Sequence, residues 1–279
     1  MTAPVIDFHI HPLHYEYYGE SALEWIKKLH KGKDWEQYCD YYNDPDNFVK
    51  YLQNSGIDYG VVLAELCPAV TGVCYNESVL QFCKGHKELI PFASINLHLT
   101  VNPALELKRL LGEGFRGLKI YPTYQYVFPN DHRMYPVYAV AEQAGIPVMF
   151  HTGSSAFKGS RLKYGDPLYL DDVAVDFPSL NIILVHGGRG FWYERAFFLA
   201  RLHDNVYLEI AGLPPQKLIV YFPELDRLGE KVIFGSDWPG VTDLKGNIEA
   251  IRNLPLSGEQ IENILGRNAA KILEMPLDF

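Results

Sequence analysis

Val5-Ile6-Asp7-Phe8-His9-Ile10-His11 is a short apolar run near the start of the chain that carries one acid and two histidines. Residues two apart on a strand share a face, so His9 and His11 project together. Runs of the same kind recur at 60–66, 90–97, 117–121, 147–152, 181–186, 206–210 and 232–236, giving eight candidate strands. Their apolar character is nearly continuous rather than alternating, as expected of strands buried on both faces of a parallel sheet.

Helical segments lie between them, such as 46–54 before Ser55-Gly56 and 136–144 before Gly145, where glycine supplies the left-handed cap. Dividing 279 residues by eight units gives about 35 per unit, the length of a βα repeat. Right-handed repeats of that kind close after eight strands. The expected fold is therefore α/β, a (β/α)8 TIM barrel forming a single domain over 1–279. A doubly wound sheet is the rival, but no GxGxxG follows a strand and no GxxxxGK[ST] occurs.

One connection departs from the pattern. Between Pro12 and Asp46 the chain inserts Tyr15, Tyr17, Tyr18, Trp25, Trp35, Tyr38, Tyr41 and Tyr42 before the first return helix. Such aromatics suit a cover over the barrel mouth, a dimer contact, or a helix on the barrel wall.

Composition narrows the partners. With 48% hydrophobic residues the chain has ample material for a core, and its net charge of -9 provides no basic field for a nucleic acid. Cys39, Cys67, Cys74 and Cys83 lack CxxC spacing and are too few for a disulfide scaffold, so free thiols in a reducing compartment are expected. Cys67 reads as a small core residue, since nothing in the sequence lowers its pKa. Residues 1–7 show no basic-then-apolar leader, and no apolar run reaches the ~20 residues of a bilayer span. A cytoplasmic protein with no membrane or nucleic-acid partner is the expectation.

Further ligand-type residues end later runs: His151 after 148–150, His186 after 183–185, and Asp237 just past 232–236. In a parallel barrel these ends meet on the face where active sites lie. Histidines with a carboxylate favour zinc or another borderline divalent ion, which acidifies bound water from 15.7 towards about 7. By spacing alone, His186 is equally suited to ligating the ion and to moving a proton.

These residues resemble the amidohydrolase superfamily, specifically the amidohydrolase-related group that includes aminocarboxymuconate-semialdehyde decarboxylase. The likeness runs from Val5–His11 through Gly117-Leu-Lys-Ile-Tyr-Pro, Val148-Met-Phe-His-Thr-Gly, Leu184-Val-His-Gly-Gly and Val232-Ile-Phe-Gly-Ser-Asp-Trp-Pro to Ile264-Leu-Gly-Arg-Asn-Ala-Ala. It implies one zinc per chain on His9, His11, His151 and Asp237, with His186, and also Asp237, handling the proton of the attacking water. In binuclear members of the superfamily a lysine on the fourth strand is carboxylated and bridges two metals, and Lys119 falls on the expected fourth strand. An unmodified Lys119 that binds a substrate carboxylate is the favoured reading here. Arg189, after Gly187-Gly188, is either a second anion contact or a solvated loop charge.

The activity expected is metal-dependent hydrolysis of an amide, ester or lactone-type bond in a small molecule. Non-oxidative decarboxylation of a small carboxylic acid is the alternative on the same residues. A silent barrel used for binding is a third reading, against which the complete ligand set argues. A homodimer is compatible with the resemblance and with the aromatics of the insertion.

Overall fold

A computed structural model describes residues 3–275; the two N-terminal residues and 276–279, which the expected domain includes, lie outside the described residues. The expected strands all form. We number them β1 (Ile6–Ile10), β2 (Tyr59–Leu63), β3 (Leu89–Ser94), β4 (Leu118–Ile120), β5 (Val148–Gly153), β6 (Ile182–Arg189), β7 (Val206–Glu209) and β8 (Val232–Ile233). They lie side by side in chain order in one eight-stranded sheet, and every pairing is parallel. The barrel closes where β1 meets the chain beyond β8: Phe8 N donates to Phe234 O at 3.0 Å, Asp237 N to His9 O at 3.0 Å and His11 N to Trp238 O at 2.8 Å.

Two cores hold this arrangement. Phe8, Val61, Leu63, Phe92, Met149, Ile183, Val185 and Ile233 fill the barrel, joined by Ala269 and Ile272 of a C-terminal helix. The opposite faces of the strands, including Val62, Leu118, Phe150, Leu184 and Leu208, pack against the surrounding helices. Both strand faces are thus apolar, which is why the sequence shows runs rather than alternation. A register shift between Asp7 and Ile10 lets Phe8 pack edge-on to Phe92 while the next residue, His9, already reaches the polar cluster above.

Four runs differ from their expected extents: the third stops at Ser94 rather than at 97, the sixth continues to Arg189 rather than ending at 186, and the second and last change more. The second divides: Tyr59–Leu63 joins the barrel, whereas Glu65–Cys67 leaves it and pairs antiparallel with Gly72–Cys74, because the turn through Pro68 and Thr71 reverses the chain. Cys67, expected at the end of β2, sits in this hairpin, fully buried. The last run forms a ladder only over Val232–Ile233; at the next residue, Phe234 N donates to Ile264 O and Phe234 O accepts from Phe8 N.

The insertion covers the mouth. Tyr17–Tyr18 adds an antiparallel edge to the hairpin, and α1 (Glu20–Leu29) lays Ala22, Trp25 and Ile26 over the cavity. Next, α2 (Trp35–Asn43) packs Tyr38 and Tyr42 at the rim, the latter 5.5 Å from the Trp238 ring. The return helix α3 (Pro45–Asn54) begins where Asp44 accepts from Asn47 N and Pro45 takes the first turn.

Candidate active site

Every residue singled out for chemistry reaches the C-terminal mouth. His9 and His11 rise from β1, Lys119 from β4, His151 from β5, His186 and Arg189 from β6, and Asp237 from the segment after β8. His186 owes its aim to a bulge. His151 pairs with Val185 and Gly153 with Arg189, so three residues of β6 oppose one of β5. His186 takes a φ of 62°, followed by Gly187 and Gly188, also left-handed. A Cβ on Gly187 would sit 2.7 Å from the Phe222 ring, and one on Gly188 2.5 Å from Trp192 O, so the fold leaves room only for glycine there. Left-handed backbone at both His186 and Asp237 marks them as positions held by their surroundings.

Three donor atoms converge. His9 Nε2 and His11 Nε2 lie 3.1 Å apart, and Asp237 Oδ1 lies 3.4 and 3.6 Å from them respectively. Donors of one tetrahedral ion with bonds near 2.1 Å sit about 3.4 Å from one another, so these separations fit a shared zinc-sized ion. His151 supplies a further sign: its Nε2 is buried with no hydrogen-bond partner among the described residues, in a ring 4.7 Å from that of His186. A buried imidazole nitrogen left unpaired is costly unless something else takes its lone pair.

The far sides of the rings are anchored. His9 Nδ1 meets Glu209 Oε1 at 2.9 Å, and Glu209 Oε2 accepts from His186 N at 3.1 Å. His9, His186 and Glu209 also cluster as ligand types, but both carboxylate oxygens of Glu209 are engaged in orienting its neighbours, which places it behind the ligands. His11 Nδ1 lies 3.3 Å from Glu65 Oε2, an ionic contact without hydrogen-bond alignment. His186 Nδ1 meets the Ala211 carbonyl at 2.8 Å. A carbonyl only accepts, so Nδ1 carries the proton and Nε2 keeps its lone pair.

Electrostatics follow from this crowding. Burial holds His9, His151 and His186 well below the usual imidazole range, reinforced by Lys119 at His9 and by Arg189 and Lys119 at His151 and His186. Burial also pulls His11 down, but Asp237 and Glu65 outweigh it and push His11 up to about 9. An imidazole in that position attracts a cation, whether proton or metal ion. Lys119, fully buried and 3.3 Å from His9 Nε2, is lowered to about 8 by burial, against the pull of Glu209 and Asp237. Burial raises Glu209, opposed by Lys119, and lifts Asp7 to about 6. Asp7 Oδ1 accepts from His9 N and Ser236 N, tying β1 to the segment that carries Asp237.

Above the cluster lies a cavity of about 450 Å³ walled by Tyr15, Tyr18, Trp25, Tyr121, Tyr124 and Phe157. Arg189 faces into it, with Nη1 3.9 Å from Asp237 Oδ2 and Nη2 bonded to Ser154 O at 3.2 Å, so it is a wall residue rather than a solvated loop charge. The 212–215 segment contributes Gly212 to the same wall and then enters a short helical turn. The sequence reading missed Glu65, Glu209 and Asp7. A lone carboxylate inside a run expected to be buried on both faces was the available signal, because such an acid must have a partner.

Comparison with known proteins agrees with the barrel fold. An uncharacterised TIM-barrel protein from Bordetella bronchiseptica superposes with a TM-score of 0.80 at 24% identity, covering 97% of this chain and 98% of that one. A dihydroxybenzoic acid decarboxylase from Polaromonas, solved with manganese and 2-nitroresorcinol, gives 0.68 at 18% identity over 98% and 97%. A probable 2-pyrone-4,6-dicarboxylic acid hydrolase from Acinetobacter baumannii, with citric acid bound, gives 0.66 at 17% over 97% and 99%. No curated protein matches in sequence. The amidohydrolase family model matches residues 6–275, nearly the full length, and the chain therefore belongs to the amidohydrolase family.

Proposed function

We propose that this chain is a metal-dependent hydrolase acting on a small, planar, carboxylate-bearing molecule with an ester- or lactone-type bond. His9, His11, His151 and Asp237 hold one divalent ion, zinc on the chemistry of the donor set. When bound there, the ion polarises a substrate carbonyl and lowers the pKa of water from 15.7 towards about 7. The observation that carries hydrolysis is the state of His186: its Nδ1 is committed to the Ala211 carbonyl, leaving Nε2 as a lone-pair acceptor on a ring that lines the cavity. A resting acceptor beside the reacting atoms takes a proton from attacking water and returns it to the leaving group. Asp237 shares that work through Oδ2, while Arg189 binds the substrate carboxylate and the aromatic walls hold its flat body. Lys119 stays an unmodified amine, buried against His9 rather than lining the cavity, so it acts on anionic substrate only through its charge beneath the cluster.

Decarboxylation is the second reading, supported by the aromatic cavity with its single guanidinium and by the Polaromonas decarboxylase among the similar structures. It requires a resting proton donor for the carbanion, and His186 offers a lone pair instead. The zinc-loaded protein is to be tested against carboxylated aryl esters and lactones, with aromatic carboxylic acids in parallel and carbon dioxide release followed. Turnover of a lactone or ester that is lost with His186→Ala supports hydrolysis. Carbon dioxide release with no ester or lactone turnover overturns it in favour of the second reading.

A further inference from the structure

The histidines of the cluster are anchored by different parts of the molecule. His9 is held through Glu209 and His186 through the Ala211 carbonyl, both at the end of the seventh strand and thus part of the barrel. His11 is flanked instead by Glu65, which lies beyond the end of β2 in the hairpin. Glu65 is 3% exposed, and neither of its oxygens is free: Tyr15 Oη donates to Oε2 and Thr71 Oγ1 to Oε1. Tyr15 belongs to the insertion, where its ring stacks on Tyr18 at 4.4 Å, and Thr71 belongs to the hairpin turn. The carboxylate beside a metal-facing histidine is therefore oriented from the cover, not from the barrel.

We propose that Glu65 is a positioning residue that couples the seating of the mouth cover to metal affinity at His11. The inference rests on the metal reading given above. Withdrawing Tyr15 from Oε2 lets the carboxylate pivot on its bond from Thr71, and His11 loses the negative charge beside Nδ1 that makes its ring a better donor. Metal affinity then depends on residues that touch no ion.

The test is a competition titration of zinc against a chromophoric chelator, with the full chain as wild type, Glu65→Gln and Tyr15→Phe, together with absorption spectra of the cobalt-loaded forms. Glu65→Gln should weaken zinc by about 10- to 100-fold, the usual scale for a carboxylate behind a ligating histidine, and shift the cobalt bands. Tyr15→Phe keeps the ring and its stacking and should weaken zinc less, in the same direction. It also keeps the test decisive if Glu65→Gln fails to fold. Wild-type affinity and an unchanged cobalt spectrum in the folded variants overturn the coupling while leaving the metal centre intact. Failure of the wild type itself to bind zinc overturns the metal reading, and the coupling with it.

Discussion

His186 shows how much one side chain decides. Its acceptor nitrogen follows from a single backbone contact at Ala211, and burial keeps the ring neutral. His186→Ala should keep the metal but lose about 10²-fold or more in kcat, whereas His9→Ala should lose both metal and activity. If His186→Ala empties the site instead, the residue is a ligand and its role must be reassigned. Because burial pushes its pKa well below 6.5, the base form persists through neutral pH and is lost only as pH falls through that lowered value. The acid limb of kcat should thus lie below pH 6.5; a limb above 7 that vanishes with His186→Ala would contradict the assignment. Arg189→Met should raise KM by about tenfold or more with less effect on kcat, as expected if a charge-assisted bond worth about 1.5–3 kcal/mol is made equally in ground and transition states. At this scale the sequence was readable where residue type and strand end coincide, as for His9, His11, His151, His186 and Asp237. Glu65 and Glu209 were hidden because their function is to orient neighbours from other strands, and Glu209 lies 200 residues from its partner His9.

The insertion forms the cover over the mouth, and two glycines seat it. A Cβ on Gly72, whose φ is 128°, would lie 2.3 Å from Tyr17 O, and one on Gly19 would lie 2.0 Å from Val70 O. The strand of the cover and the hairpin beneath it therefore touch backbone to backbone. Gly72→Val should lift the cover and lower kcat/KM by as much as about 10²-fold, the scale of a 1 Å misplacement, without removing the barrel. Unchanged kinetics with unchanged folding would show that the cover does not shape the cavity. The sequence revealed this element through its aromatics but not its location, because mouth, wall and interface favour the same residues. The split of 60–66 was equally hidden: an apolar run looks the same whether it stays in the barrel or turns out after four residues.

For the whole molecule, the barrel was legible because eight apolar runs at regular spacing admit few other closed arrangements, and the family match spans them all. What spacing could not supply is the arrangement of ionisable groups around the mouth, where Glu65 and Asp237 flank His11 while Asp7 and Glu209 are pushed up by burial. A divalent ion held by His9, His11, His151 and Asp237 would bind only the folded chain, so it should stabilise the fold by about 2.7 kcal/mol when free zinc is 100 times its dissociation constant. A chelator should accordingly lower Tm, and an unchanged Tm would contradict a loaded centre. The most direct measurement of the central claim is elemental analysis of the chain purified from metal-replete culture, with stoichiometry per chain determined after gel filtration. The convergence of His9, His11 and Asp237, with a His151 nitrogen that has no partner among the described residues, predicts close to one divalent ion per chain; no ion even after reconstitution, or two ions per chain, would contradict it.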